Sequence, residues 1–334
     1  MRRSRSSVSG PISRPVRTVR HFRVAKREPG QRGSAPAILP RAGRQSVLGT
    51  RRARSKRVMD QALPHFGNPP VIETALSVQF AEIRGFGNAH LGLFWARHQA
   101  TFPILSDADP IVAQLELFGA ERSQPPRSQR VRLGVDPAAR LQMTTADQSR
   151  MVQVQNGRLV HNWRRTGDGR YPRWTAVKPE LIAYWSDFQA FVAENKLPAA
   201  VPNQWEVVYV NHLLKGRDWA SPADWADLVP GVLGRSERLA GGKLESLAAN
   251  WDVGLDGDGG RLHIEIFHAL AVSNSDPEAE PMELLTLQLT ARGPIAGHGI
   301  EAIDAGLELG HVAIVQNFAA ITGDAAHKRW RRKP

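Results

Sequence analysis

Apolar and polar positions follow two periods along this chain, and the switches between them mark out its elements. Residues 71–80 are β-rich and partly alternating, which predicts a strand whose start is blocked by Pro69 and Pro70. Asn88 then caps a helix presenting Leu91, Phe94, Trp95 and His98 at helical spacing. Residues 111–118 predict a short strand, and residues 123–130, with Pro125-Pro126, a loop. Asn156-Gly157 between apolar runs predicts a type I′ hairpin turn. That turn pairs Val154 with Leu159 and Val152 with His161. Val152, Val154, Leu159, His161 and Trp163 then share the core face, and Gln153, Gln155, Arg158, Asn162 and Arg164 lie on the other. A helix follows, with Pro179 in its first turn and Leu181, Trp185, Phe188 and Val192 as its stripe. Pro198 and Pro202 end it.

The second half repeats this order. Residues 205–214 read as a strand with both faces largely apolar, hence central. Ser221-Pro222-Ala223-Asp224 opens a short helix. Residues 246–255 and 261–272 form a hairpin across the Gly-rich turn at 256–260, and residues 283–292 add a strand with Leu285, Leu287 and Leu289 on one side. A final helix over 300–321 turns Leu307, His311, Ile314, Val315 and Phe318 inward. Both halves, residues 70–196 and 204–322, therefore read strand, helix, about three strands, helix. The fold class is α+β with largely antiparallel sheets, because runs of consecutive strands argue against a doubly wound parallel sheet. Each half resembles a helix-grip arrangement, and the pair reads as a pseudo-duplication on element order alone.

Charge changes the picture at one end. The chain has 334 residues and a formal net charge of +12, which taken alone points to a nucleic-acid binder. Residues 1–58 hold 17 Lys+Arg against the single acid Glu28, leaving a mildly acidic remainder of 27 Lys+Arg and 31 Asp+Glu. This leader is rich in Arg, Ser, Pro and Gly and is expected to be disordered. It has no apolar segment for a secretory signal, although a transit peptide or a basic arm would share its composition. The abrupt change at Met59 favours an upstream extension of the reading frame, with Met59 as the start. The folded part divides into a first half at 59–200 and a second at 201–334. No cysteine is present, which excludes disulfides, thiolate metal sites and Cys nucleophiles and fits a cytoplasmic setting. No apolar run is long enough to cross a membrane as a helix.

Two segments carry a family resemblance. Asn68-Pro69-Pro70-Val71-Ile72-Glu73, leading into Leu76-Ser77-Val78-Gln79-Phe80 and Asn88-Ala89-His90-Leu91-Gly92-Leu93-Phe94-Trp95, is the first. The second is Gly310-His311-Val312-Ala313-Ile314-Val315 with Phe318, Ile321-Thr322 and His327-Lys328-Arg329-Trp330. Leu159 to Arg165 with Tyr171-Pro172-Arg173 fits between them. Together these resemble the uncharacterised, sporadically distributed bacterial and archaeal protein family whose members open near such an Asn-Pro-Pro-x-x-Glu motif. The resemblance covers residues 66–332. It implies a fold and no mechanism; patchy distribution would suit a mobile, defence-type or two-gene system.

Candidate chemistry is sparse. Gly85-Phe86-Gly87 between strand and helix has His90 where a dinucleotide fingerprint needs its third glycine, so it reads as a tight turn. Asp252, Asp256 and Asp258 lie among glycines, but position 12 of an EF-hand loop starting at Asp252 is His263, so the calcium pattern fails. His263 and Glu265 share one face of a strand, to which Asp252, Thr286 and Gln288 could add. His plus carboxylate is the minimum for metal-assisted hydrolysis, against which stands the polar, solvated face of an amphipathic sheet. Arg164, Arg165 and Arg173 interleave with Trp163, Tyr171 and Trp174 as a nucleic-acid patch would, though the acidic charge of residues 59–334 argues against one. His161 and His311 read as hydrogen-bonded core histidines. The sequence therefore points to a soluble recognition or regulatory module that binds a protein partner or a small ligand between sheet and helix, and it calls for no metal or cofactor. A hydrolase using His263 and Glu265 and a nucleic-acid binder using Arg164, Arg165 and Arg173 are the competing readings.

Overall fold

A computed structural model describes residues 62–117, 139–233, 244–255, 259–271 and 280–333, together with Gly242 and Gly257. The expectations for the leader, for the loop at 123–130, and for Phe118, Asp256, Asp258 and Val272 lie outside the described residues. In chain order the strands are β1 (His65–Phe66), β2 (Val71–Phe80), β3 (Ile104–Ala108), β4 (Arg140–Thr144), β5 (Arg150–Gln155), β6 (Arg158–Arg164), β7 (Pro202–Leu214), β8 (Ala248–Gly254), β9 (Arg261–Ala271), β10 (Met282–Pro294) and β11 (Arg332–Lys333). The helices are α1 (Asn88–His98), α2 (Trp174–Glu194), the one-turn α3 (Trp225–Leu228), α4 (Gly299–Ile321) and α5 (Asp324–Arg329).

The architecture is α+β and antiparallel. Among the described residues nine strands form one sheet in the order β3-β4-β5-β6-β2-β7-β10-β9-β8. Each half ends its run of strands beside its own first strand, β6 against β2 and β10 against β7. The two first strands, β2 and β7, then pair antiparallel at the centre of the sheet. α2 packs on β2 and β6, α4 packs on β7 and β10, and the two helices touch. Both lie on one face of the sheet, so the core is the layer between that face and the helices. Leu76, Val78, Leu159, Trp205, Val207, Leu287 and Leu289 meet Leu181, Phe188, Leu307 and Ile314 there in one apolar cluster. No described helix is long and apolar enough to cross a membrane.

The sequence pattern gives no element at β1, β3, β4, α5 or β11, and three of the features it does give differ in the structure. The hairpin register is as expected, with Val154 opposite Leu159 and Val152 opposite His161. The turn type is not. A type I′ turn needs positive φ at both central residues, and only Gly157 has it, at 99°. Asn156 is held instead by tertiary bonds: its Oδ1 accepts from Ile83 N (2.8 Å) and its Nδ2 donates to Ile83 O (3.0 Å). α2 begins at Trp174, five residues before the expected proline, so Pro179 sits in the second turn. Residues 111–117 are not a strand. They cross the helix-free face as an extended strap whose backbone pairs with side-chain amides. Gln155 exchanges two bonds with Ile111, at 2.8 Å each, and Gln204 accepts from Glu116 N (2.9 Å) while donating to Gln114 O. Gln79 Oε1 accepts from Gln114 N at 3.3 Å. These glutamines act as substitute strand residues, pairing the strap's backbone groups with side-chain amides.

Candidate functional site

The strap changes the surroundings of His263. The ring Nε2 lies 2.6 Å from Glu116 Oε1 and Nδ1 lies 2.7 Å from Asp252 Oδ1, directly across the β8–β9 ladder. Arg261 and Arg292 also pair with Glu116, and Arg292 and Arg158 with Glu206. The bond to Glu116 raises the His263 pKa above its ordinary value against the cost of burial, and the bond to Asp252 adds to the rise. The solvated face expected here is therefore a partly buried ionic network. Glu265 shares the face but is exposed, and both nitrogens of His263 are taken by other carboxylates. Among the described residues no group of three or more His, Cys, Asp or Glu is arranged to hold a metal.

The three arginines are also separated. Arg164 is half exposed and pairs with Glu73 at 3.3 Å on the helix-free face. Arg165 donates to the carbonyls of Pro69 (3.1 Å) and Val71 (2.8 Å). Arg173 donates to Phe66 O at 2.8 Å. Two of the three thus fasten the segment that leads into β2, where bases and phosphates would have to compete with backbone carbonyls.

A site that the sequence pattern did not single out lies on the other side of the sheet. Between β7 and α4, at the start of α2, is a cleft of about 490 Å³. Its floor is Tyr209 and Asn211 of β7, one wall is His311, Ile314, Val315 and Phe318 of α4, and the opposite wall is Tyr171, Arg173 and Trp174. Residues 63–66 and Pro69 close the remaining side. That closing segment is held in place by β1–β11 pairing, by Gly67 N donating to Arg331 O (2.9 Å), and by Arg173. Arg173 itself has φ 78°, a left-handed conformation that costs a non-glycine residue about 1–3 kcal/mol.

Three polar groups of the cleft are linked. Tyr171 Oη and Tyr209 Oη lie 2.9 Å apart, and Tyr209 Oη lies 2.9 Å from His311 Nδ1. The imidazole stacks on Trp174, with ring centres 4.3 Å apart and planes at 6°. Trp174 Nε1 donates to Glu308 Oε2 (2.8 Å), which Lys178 also approaches at 3.1 Å. Burial lowers the His311 pKa to about 4 and raises that of Tyr171 to about 12, and it lifts Tyr209 well above 10. At neutral pH all three groups are uncharged. Buried aromatic hydroxyls in a concave apolar site, with perturbed titration, are the usual marks of a ligand pocket. His311 is hydrogen-bonded, as its place on the apolar stripe implies, yet it stands at the wall of a cavity. One sequence signal was available: the chain has three tyrosines, and Tyr209 lies on the apolar face of a central strand, where a phenol needs a partner.

The fold and this cleft define a class: an antiparallel α+β sheet gripped on one face by two helices, with an apolar pocket between sheet and helix. No protein-family model, curated protein or solved structure matches the chain, so its function is argued from its own geometry.

Proposed function

We propose that this protein is a recognition or regulatory module that binds a small ligand in the cleft between β7 and α4. The observation that carries the reading is the pocket itself: about 490 Å³, walled largely by aromatic and aliphatic side chains, with the linked, uncharged chain Tyr171–Tyr209–His311 among its polar groups. That volume lies within the range of small-molecule sites, roughly 300–1,000 Å³. The Tyr209–His311 pair is buried and uncharged within a hydrogen-bonded chain, an arrangement suited to holding a ligand's polar group. We read the two halves as a duplicated β-α-βββ-α unit, supported by the matching strand orders β2-β6-β5-β4 and β7-β10-β9-β8, to which β3 adds one further strand at the edge of the first half. We place the protein in the cytoplasm, in keeping with its lack of cysteine.

The test is a thermal-shift screen of small apolar compounds against the wild type and Val315→Trp. Val315 lines the cleft and is only partly buried, so an indole there fills the cavity from its wall. Compounds are expected to raise the melting temperature of the wild type and leave the variant unchanged. Stabilisation that survives Val315→Trp, or none with either protein, overturns the proposal.

A further inference from the structure

The chemistry of the cleft walls narrows the ligand. Of the ionisable side chains at the wall, Glu308 is paired with Lys178 and Trp174, burial holds His311 and His65 toward the neutral form, and Arg173 stays cationic with its terminal nitrogens donating to the carbonyls of Phe66 and Gly67. A cation would be desolvated there without a free carboxylate, and an anion would have to compete with those two carbonyls for Arg173. The Tyr171–Tyr209–His311 chain has two phenol protons and one imidazole proton to distribute over two internal bonds. If the bonds run from Tyr171 toward the ring, Nε2 carries the remaining proton and is a donor. If they run the other way, Nε2 is an acceptor and Tyr171 holds the free O–H. Nε2 has no hydrogen-bond partner among the described residues. Asn211, also at the wall, donates through Nδ2 to Leu287 O (3.0 Å), and its Oδ1 has no partner among them either.

We propose, resting on the cleft reading above, that the ligand is an uncharged, ring-bearing apolar molecule with one hydroxyl, which the Tyr171–Tyr209–His311 chain and Asn211 recognise. A hydroxyl both donates and accepts: where Nε2 donates, it accepts that bond and gives its proton to Asn211 Oδ1, and where Nε2 accepts, it gives its proton to the ring. The rings of Trp174, Phe66 and Phe318 supply the flat apolar contact for the body.

The experiment is calorimetric titration of the full chain with four matched probes: naphthalene, 2-naphthol, 2-naphthoate and 2-naphthylmethylammonium. 2-Naphthol is expected to bind about three- to tenfold more tightly than naphthalene, the contribution of one net hydrogen bond. Both ions are expected to bind at least about tenfold more weakly than 2-naphthol. Tyr209→Phe, which breaks the chain at its centre, should bring 2-naphthol down to the affinity of naphthalene. Tyr171→Phe, at the far end, should lower it by a smaller factor and serves if the first variant does not fold. Equal binding of naphthalene and 2-naphthol, blocked by Val315→Trp, overturns the hydroxyl reading and leaves the cleft as a binding site. Tightest binding by either ion overturns the uncharged reading. Binding that Val315→Trp does not touch, or no binding by any probe, overturns the cleft reading and this proposal with it.

Discussion

His263 and His311 are the same residue type in environments that push their titration in opposite directions. His263 gains two carboxylate partners and its pKa rises; His311 gains a phenol and a stacked indole while losing water, and its pKa falls to about 4. The stability each contributes follows. His263 favours the folded state fully below the ordinary histidine pKa of about 6.5, and this is lost as pH rises through its raised folded value. His311 has the reverse sign: the unfolded chain takes up its proton first, so it weakens the fold as pH drops from about 6.5 toward 4. His263→Asn should therefore reduce stability more at about pH 5.5 than at about pH 9, measured by urea unfolding at both. An equal loss at both would place the interaction with Glu116 and Asp252 outside the protonated form. Neither environment is legible from residues 263 or 311 alone. Glu116 reaches His263 from a segment 147 positions earlier in the chain, and Tyr209 reaches His311 from 102 earlier.

At the scale of elements, the close approach of α4 to the sheet depends on glycines. A Cβ on Gly306 would come 2.2 Å from Cδ1 of Trp205, and one on Gly310 would come 2.6 Å from its Cζ3. The indole cannot readily move, because Nε1 donates to Pro294 O (3.1 Å) and the side chain is fully buried. Gly→Ala inside a helix ordinarily stabilises by about 1 kcal/mol. Here overpacking against Trp205 wins, and Gly306→Ala should destabilise by about 1–3 kcal/mol in urea unfolding. A stabilised variant would show that helix and sheet can separate without cost. The strap at 111–117 makes the complementary point about legibility. Its run of alternating apolar residues reads as a strand, yet Gln79, Gln155 and Gln204, each inside a strand of its own, supply its pairing. Periodicity reports what a segment can bury, and it is silent on whether its backbone meets another backbone or a row of amides.

At the scale of the molecule, the two halves share one sheet, since β2 and β7 pair from Val71 to Phe80 against Asn211 to Pro202. The apolar core is continuous across that seam, from Leu76 and Val78 to Trp205 and Val207. Cooperative unfolding of residues 62–333 is expected: far-UV circular dichroism and tryptophan fluorescence should report a single coincident transition, and two resolved transitions would mean that the halves fold independently. The cleft belongs to this scale as well. Tyr171 and Trp174 come from the end of the first half, Tyr209 and His311 from the second, and Phe66 from the segment before both.

The sequence by itself determined the α+β class, the antiparallel order, the hairpin register at 152–163, the buried stripes of α2 and α4 and the abrupt end of the basic leader's composition. Each of these is written in local periods and neighbouring residues. Only the tertiary structure decided that β2 and β7 meet at the centre, that a strap covers the polar face, that Arg165 and Arg173 clamp backbone carbonyls, and that two tyrosines and a histidine meet in a cleft. These rest on contacts between positions far apart in the chain, for which hydrophobic patterning carries no information about partner identity. Burial then turned the same side chains from a predicted solvated face and core filler into an ionic network and a pocket wall.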